Sequence, residues 1–417
     1  MKTKIYLTMI IVALFATVMA LNYFENLQTV PVINTVKINT EPQTTAPPTT
    51  TATKKQSKNA NMKGLWVTYM ELDMSGTDRS YTEFKKKFDR IADDAVEFGF
   101  NTLIVQVRPF SDALYKSKLF PSSHILSGTQ GVDCGYDALN YMCSKCHKSG
   151  LEIQAWINPY RISTNNTPSV LSTDNPYEKD KSLGKKIESG IFLNPALKKV
   201  QQLISDGVKE ITDNYDIDGI QFDDYFYPTS DKSFDKTEYT NYTKAQKNKS
   251  LSLSDWRKEN VNKLIRSVYK VVHSSNKNIV FGISPQGNIK NNSKIYADVK
   301  NWCSKSGYID YICPQLYYSL DNPALAYEDA VDSWNKIKKN KNLKIYSGLA
   351  GYKAGTDSDE GTWEDFNDIL SKEYKISFEK KYDGFMLYSY ASMSEKSAKK
   401  EIANLKKTMN QTNSPEQ

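Results

Sequence analysis

The segment Tyr215–Pro228, YDIDGIQFDDYFYP, carries the reading that decides the fold. Its centre, DGIQF (Asp218 to Phe222), is a short apolar run. A helical stretch from Pro195 to Tyr215 precedes it, and a pair of acids and a long loop follow, before a second helical stretch from Asp255 to His273. A continuous apolar strand between helices is one unit of a parallel sheet whose outer face the helices cover.

The same unit recurs in both directions. Toward the N-terminus come GLWVTY (Gly64 to Tyr69) with a helix at Glu83–Phe98, TLIVQV (Thr102 to Val107) with a helix at Asp137–Ser149, and EIQAWI (Glu152 to Ile157). Toward the C-terminus come NIVFGI (Asn278 to Ile283) with a helix at Tyr296–Ser304, and IDYICPQ (Ile309 to Gln315) with one at Pro323–Ile337. LKIYSG (Leu343 to Gly348) with a helix at Trp363–Tyr374, and DGFMLY (Asp383 to Tyr388) with one at Glu395–Met409, complete the set. Eight strand–helix units predict a (β/α)₈ TIM barrel over residues 62–410 as one monomeric domain, with 411–417 as a tail. Long loops are expected after strands three and four, near Ser163–Asn194 and Thr229–Ser254. An open doubly wound sheet is the rival, but no glycine-rich phosphate turn follows an early strand.

The flanks read differently. Lys2 and Lys4 precede an uncharged apolar run from Ile5 to Leu21, and Val18-Met19-Ala20 has small residues where a signal peptidase cuts. Residues 1–21 are therefore expected to be an export signal, cleaved or retained as a membrane anchor. Residues 22–61 form a Thr/Pro-rich linker that cannot bury enough surface to offset its ordering entropy. An exported, extracellular or cell-surface barrel follows from that layout. The formal charge of +7 comes from scattered, mixed lysines, so no nucleic-acid partner is expected.

Active sites of this fold lie at the C-terminal strand ends. Those positions hold Arg108 and Asp112 after strand two, and Asn158, Tyr160 and Arg161 after strand three, with Trp156 inside it. Strand four is followed by Asp223, Asp224, Tyr225 and Tyr227, strand five by Gln286, and strand six by Gln315, Tyr317 and Tyr318. Tyr352 and Tyr390 follow the last two strands. Aromatic rings stack on pyranose faces while amides, guanidinium forks and carboxylates hold hydroxyls, so this rim suits a sugar. Arg108 and Arg161 are two of only six arginines, which points to bidentate positioning of substrate. Asp223 and Asp224 are the candidate catalytic acids. Strand alternation places Asp223 with Gln221 and Tyr225 on one face and Asp224 on the other, so one acid should enter the barrel mouth and the other brace the loop. The second carboxylate is then Asp224, if the chain turns sharply, or Asp112. Asp218, Asp310 and Asp383, at the strand starts, read as structural.

No cofactor is expected. The histidines, His124, His147 and His273, all avoid strand ends, which counts against a histidine-held metal and against a Ser-His-Asp triad. The one zinc-like grouping, Cys143 and Cys146 with His147 and Cys134, lacks further ligands at suitable spacing, and five cysteines do not make a full disulfide framework.

The segments GLWVTY, QVRPFSDALYKSKLFPSS, GLEIQAWINPYRIS, FLNPALKKV, YDIDGIQFDDYFYP, DWRKENVNKLI, FGISPQGN and YICPQLYYS resemble, in order, the bacterial glycosyl-hydrolase-like family ten over about Met62 to Tyr390. That resemblance implies a (β/α)₈ barrel and glycosidase activity on wall glycans, including peptidoglycan strands stripped of stem peptides, with the family's acidic motif on Asp223 and Asp224. Many members are lipoproteins, and this chain lacks the anchoring cysteine. A weaker similarity is to family 18 chitinases, whose strand-four motif DGxDxDxE keeps Asp218, Gly219 and Asp223 here but has Gln221 and Tyr225 in place of its other acids. The expected partner is thus a polysaccharide. A non-catalytic sugar-binding barrel is the alternative from another class, and a metal-dependent wall amidase or esterase a third.

Overall fold

The computed structural model describes residues 61–246, 249–275, 278–364 and 367–411. The expected export segment, the linker up to residue 60 and the tail from residue 412 lie outside them. Among the described residues no helix is long and apolar enough to cross a membrane.

The eight expected strands are present and parallel. They are β1 (Met62–Val67), β2 (Thr102–Arg108) and β3 (Glu152–Ile157), then, after an inserted ribbon, β7 (Gly219–Phe222), β8 (Val280–Ile283) and β9 (Tyr311–Ile312). The seventh is split into β10 (Lys344–Ile345) and β11 (Ser347–Ala350), and β12 (Gly384–Tyr388) is last. β10 pairs with β9 while β11 pairs with β12, so the single interrupted strand closes the sheet into a barrel. The ribbon is antiparallel: β4 (Arg161–Thr164), β5 (Gly184–Ile187) and β6 (Gly190–Leu193), ordered β4-β6-β5. It forms the long loop after strand three. The one after strand four carries the helix Lys236–Gln246. The helix expected at Trp363–Tyr374 starts later than the sequence suggests, at Ile369. Trp363 is instead buried in the preceding loop, its indole N–H donating to Asp359 Oδ2 at 2.9 Å.

Alternation divides the core. Leu103, Val105 and Val107 of β2 face the surrounding helices. Trp66, Ile104, Trp156, Tyr311, Cys313 and Met386 fill the barrel. Gly282 is required there: a Cβ on it would lie 2.0 Å from the Tyr311 ring. Tyr311 in turn donates its hydroxyl to Gln154 Oε1 at 2.6 Å and accepts from Gln221 Nε2 at 2.9 Å, so the buried hydroxyl is satisfied on both sides.

The bottom of the barrel repeats one device. Asn101, Asp218, Asp310 and Asp383 immediately precede β2, β7, β9 and β12, every second strand around the barrel. Each side chain accepts the backbone N–H of a residue on the strand before it: Lys63, Ile153, Phe281 and Ile345 at 2.7–2.9 Å. His147 and His273 reach Asp218 and Asp310 from the helix ends, at 2.9 and 3.0 Å. These aspartates are structural.

Candidate active site

At the C-terminal strand ends a cavity of about 260 Å³ is lined by Asp223, Asp224, Trp66, Trp156, Tyr225, Tyr317, Tyr352, Tyr388, Gln221, Ser284 and Gln315. Its mouth carries Tyr225 and Tyr352, about half exposed, and its floor is the indole of Trp66, which donates to Gln221 Oε1 at 2.6 Å. Tyr388 packs against Trp66, Tyr317 and Tyr352 with ring centroids 5.8–5.9 Å apart. The result is a small aromatic chamber, below the usual range for drug-sized ligands and suited to one sugar unit.

Both acids enter this chamber, which corrects the expectation that alternation would part them. β7 ends at Phe222, and the chain bends before Asp224. Asp223 Oδ2 accepts from the Trp156 indole at 3.0 Å and from the Asn158 side-chain amide, and Oδ1 accepts from Tyr225 N–H at 3.3 Å. Asp224 Oδ1 accepts from Gln315 Nε2 at 3.1 Å, with the Gln286 amide as a further donor. Burial, then the negative charge of Asp224, pushes the Asp223 carboxyl up to about 7, against the pull of Arg161 and its hydrogen bonds. Burial also raises Asp224, and the two glutamine amides oppose that rise. Neighbouring carboxyls titrate as a unit, and here the stronger upward push falls on Asp223, the more deeply buried of the two.

Seven of the sequence-derived rim residues line the cavity: Asp223, Asp224, Trp156, Tyr225, Gln315, Tyr317 and Tyr352. Asn158, Arg161 and Gln286 stand behind the acids. Arg161 donates to Pro109 O at 2.9 Å and Asn158 Oδ1 at 3.0 Å, and its guanidinium lies between the rings of Phe110 and Tyr225, 4.6 and 5.3 Å away. Its charge acts on the acids, and its Nε and Nη2 are held by protein groups.

Arg108, Asp112 and Tyr160 lie elsewhere. A β-bulge between Gln106 and Arg108 breaks the alternation and turns Arg108 outward, where it is buried over Phe120 at 4.4 Å and against the helix at Gly207. Asp112 is buried, held by His124 Nδ1 at 3.0 Å and Gln130 Nε2 at 3.2 Å, and is not the second carboxylate. Tyr160 already belongs to the ribbon, with its carbonyl accepting Leu193 N–H at 2.8 Å, and its ring is buried in the outer core. Tyr227 is likewise core, packed on Tyr296 and Arg257. Tyr390 bonds Asp94 at the surface.

Sequence reasoning does not select Tyr388, Ser284 or Gln106. Gln106 is accessible to it in principle, as the inward polar position two residues after Ile104.

Among the described residues the cysteines form no disulfide, and no cluster of three or more His, Cys, Asp or Glu could hold a metal.

The sequence profile of the family described as glycosyl hydrolase-like 10 matches residues 61–365. The chain belongs to that family. Glycosyl hydrolase YngK of Bacillus subtilis is 33% identical over 323 residues, covering 73% of this chain and 63% of that protein. Glycosyl hydrolase DigH of Escherichia coli is 31% identical over 355 residues, covering 76% of this chain and 79% of its own. This chain thus spans less than two thirds of the Bacillus relative. Among solved structures, the catalytic domain of a β-amylase from Paenibacillus polymyxa aligns with a TM-score of 0.56 at 11% identity, over 85% of this chain and all of that one. That likeness shows the TIM-barrel fold.

Proposed function

We propose that this protein is an exported glycoside hydrolase that cleaves cell-wall polysaccharide, with peptidoglycan glycan strands lacking stem peptides as its substrate. The observation that carries the reading is buried Asp223 beside part-buried Asp224 at the base of an aromatic chamber, with the Asp223 carboxyl pushed up to about 7. Glycoside hydrolysis uses two carboxyl groups in opposite states, one giving a proton and one bearing charge. Asp223 gives its proton to the glycosidic oxygen as the bond to the anomeric carbon breaks. Asp224, ionised and held by Gln315 and Gln286, faces the positive charge that develops on the sugar. Water completes the hydrolysis, and the proton it releases returns to the pair. Tyr225, Tyr317, Tyr352 and Tyr388 supply ring faces for the pyranose. The wall location rests on the N-terminal apolar run and linker, and the peptidoglycan assignment on the family likeness of the motifs around strands two to six.

The test is to incubate the purified protein with stem-peptide-free glycan strands, intact peptidoglycan and chitin, and to weigh the products. Shortened glycans from the stripped strands support the proposal. Binding of those strands with no new reducing ends would instead mark a non-catalytic barrel.

A further inference from the structure

Behind Asp223 lies a chain of hydrogen bonds whose direction is fixed. The backbone N–H of Tyr69 donates to Gln106 Oε1 at 3.1 Å. A backbone N–H can only donate, so the Gln106 atom facing it is the oxygen, and its amide nitrogen must point the other way. There it donates to Asn158 Oδ1. Arg161 Nη2, also a donor only, reaches the same oxygen at 3.0 Å. Two independent donors therefore fix the Asn158 amide, and its Nδ2 is the group left to face Asp223 Oδ2. The Trp156 indole N–H, a third donor-only group, meets Oδ2 as well. Gln106, Asn158 and Asp223 are all buried, so water does not compete for these bonds.

We infer that Gln106 and Arg161 are positioning residues that lock the Asn158 amide as a donor, which bars the proton of Asp223 from Oδ2 and confines it to Oδ1. An oxygen that already accepts two donors with no acceptor in reach has nowhere to direct its own O–H. Oδ1 meets only the Tyr225 N–H, at 3.3 Å, and keeps a lone pair and a proton position free. The relay therefore selects which carboxyl oxygen delivers the proton. This rests on the assignment of Asp223 as the acid, but its orientation part stands on the hydrogen bonds alone.

The experiment uses the full chain labelled with carboxyl-¹³C aspartate and with ¹⁵N, the Asp223 signal being identified by its loss in Asp223→Asn. In the wild type, the Trp156 indole and Asn158 amide protons are expected to shift in step with the Asp223 titration and to stay protected from exchange on both sides of it. Loss of protection when Asp223 takes its proton would put that proton on Oδ2 and overturn the inference. The neutral variant Gln106→Met removes one of the two donors to Asn158 and changes a side chain that does not itself line the cavity. Its Asp223 midpoint is expected to rise by about half a pH unit, because a loosened amide stabilises the carboxylate less. The basic limb of kcat/KM should move with it while KM stays unchanged. A folded Gln106→Met with the wild-type midpoint would also overturn the relay. Should the midpoints behave as expected while the wild type cleaves no glycan, the relay stands and the hydrolase reading falls.

Discussion

Replacing Asp223 by Asn separates what the site gives to chemistry from what it takes from stability. The amide nearly matches the carboxyl in shape, and its oxygen can still accept from Trp156 and Asn158. It can neither release a proton nor carry charge. Loss of a general acid typically costs about 10²–10⁴-fold in rate. Stability should move the other way. The folded-state carboxyl sits near 7 against an ordinary value of 3.8. A raised carboxyl gives its full stability below the unfolded value, and that stability is lost as pH rises through the folded value. Across a window of about three pH units, at about 1.36 kcal/mol each, the penalty at pH 7.5 is on the order of 4 kcal/mol. Asp223→Asn removes it. Thermal melts at pH 4 and pH 7.5 read the effect directly: the variant should outlast the wild type at pH 7.5 and match it at pH 4. A variant that is no more stable at pH 7.5, or one that keeps near-wild-type turnover, would refute the reasoning that Asp223 is a buried acid held for catalysis.

Three further predictions concern other parts of the molecule. Arg161→Gln removes the positive charge that holds Asp223 down, so the basic limb of the pH–rate profile should move to higher pH; Arg161→Lys keeps most of the charge but loses the fork to Pro109 and Asn158, and should lower kcat by about tenfold with a smaller limb shift. An unchanged profile in both would detach Arg161 from the acid pair. Gly282→Ala drives a methyl into the Tyr311 ring, so urea melts should show a loss of about 1–3 kcal/mol, and a neutral result would mean the barrel interior is looser than it looks. The Asp218 carboxylate, beside the half-buried His147, raises that imidazole above its ordinary value. Its stability is therefore present below about pH 6.5 and fades as pH rises through the raised value, and His147→Ala should flatten the stability–pH curve over that window.

The barrel was legible because its strands are buried on both faces and so read as apolar runs. Alternation set Asp223 and Asp224 on opposite faces and required one of them to enter the mouth, without saying which. What escaped the sequence were local departures from regular pairing. The β-bulge after Gln106 moves Arg108 from the mouth to the helix layer, and bulges have no dependable signature in side chains. The bend after Phe222 brings Asp224 beside Asp223, where strict alternation would have sent it outward. The ribbon that begins at Arg161 takes Tyr160 into the core one residue before an arginine that reaches the acids. The break at Tyr346 that closes the barrel is likewise a matter of which neighbour each half-strand pairs with. Asn158 reads from the sequence as a substrate ligand, since its type and place fit either role; only the two donors on its oxygen reveal that it serves Asp223.

The central claim is that the Asp223–Asp224 pair hydrolyses a glycosidic bond, and reaction in oxygen-18 water tests it most directly. Stem-peptide-free glycan strands are incubated with the protein in labelled water and the products weighed. Each cleavage should place one oxygen-18 at the new reducing end, at a rate that falls as pH rises past about 7. Cleaved product without the label would show elimination in place of hydrolysis, and no cleavage at any pH would leave a barrel that binds sugar without cutting it.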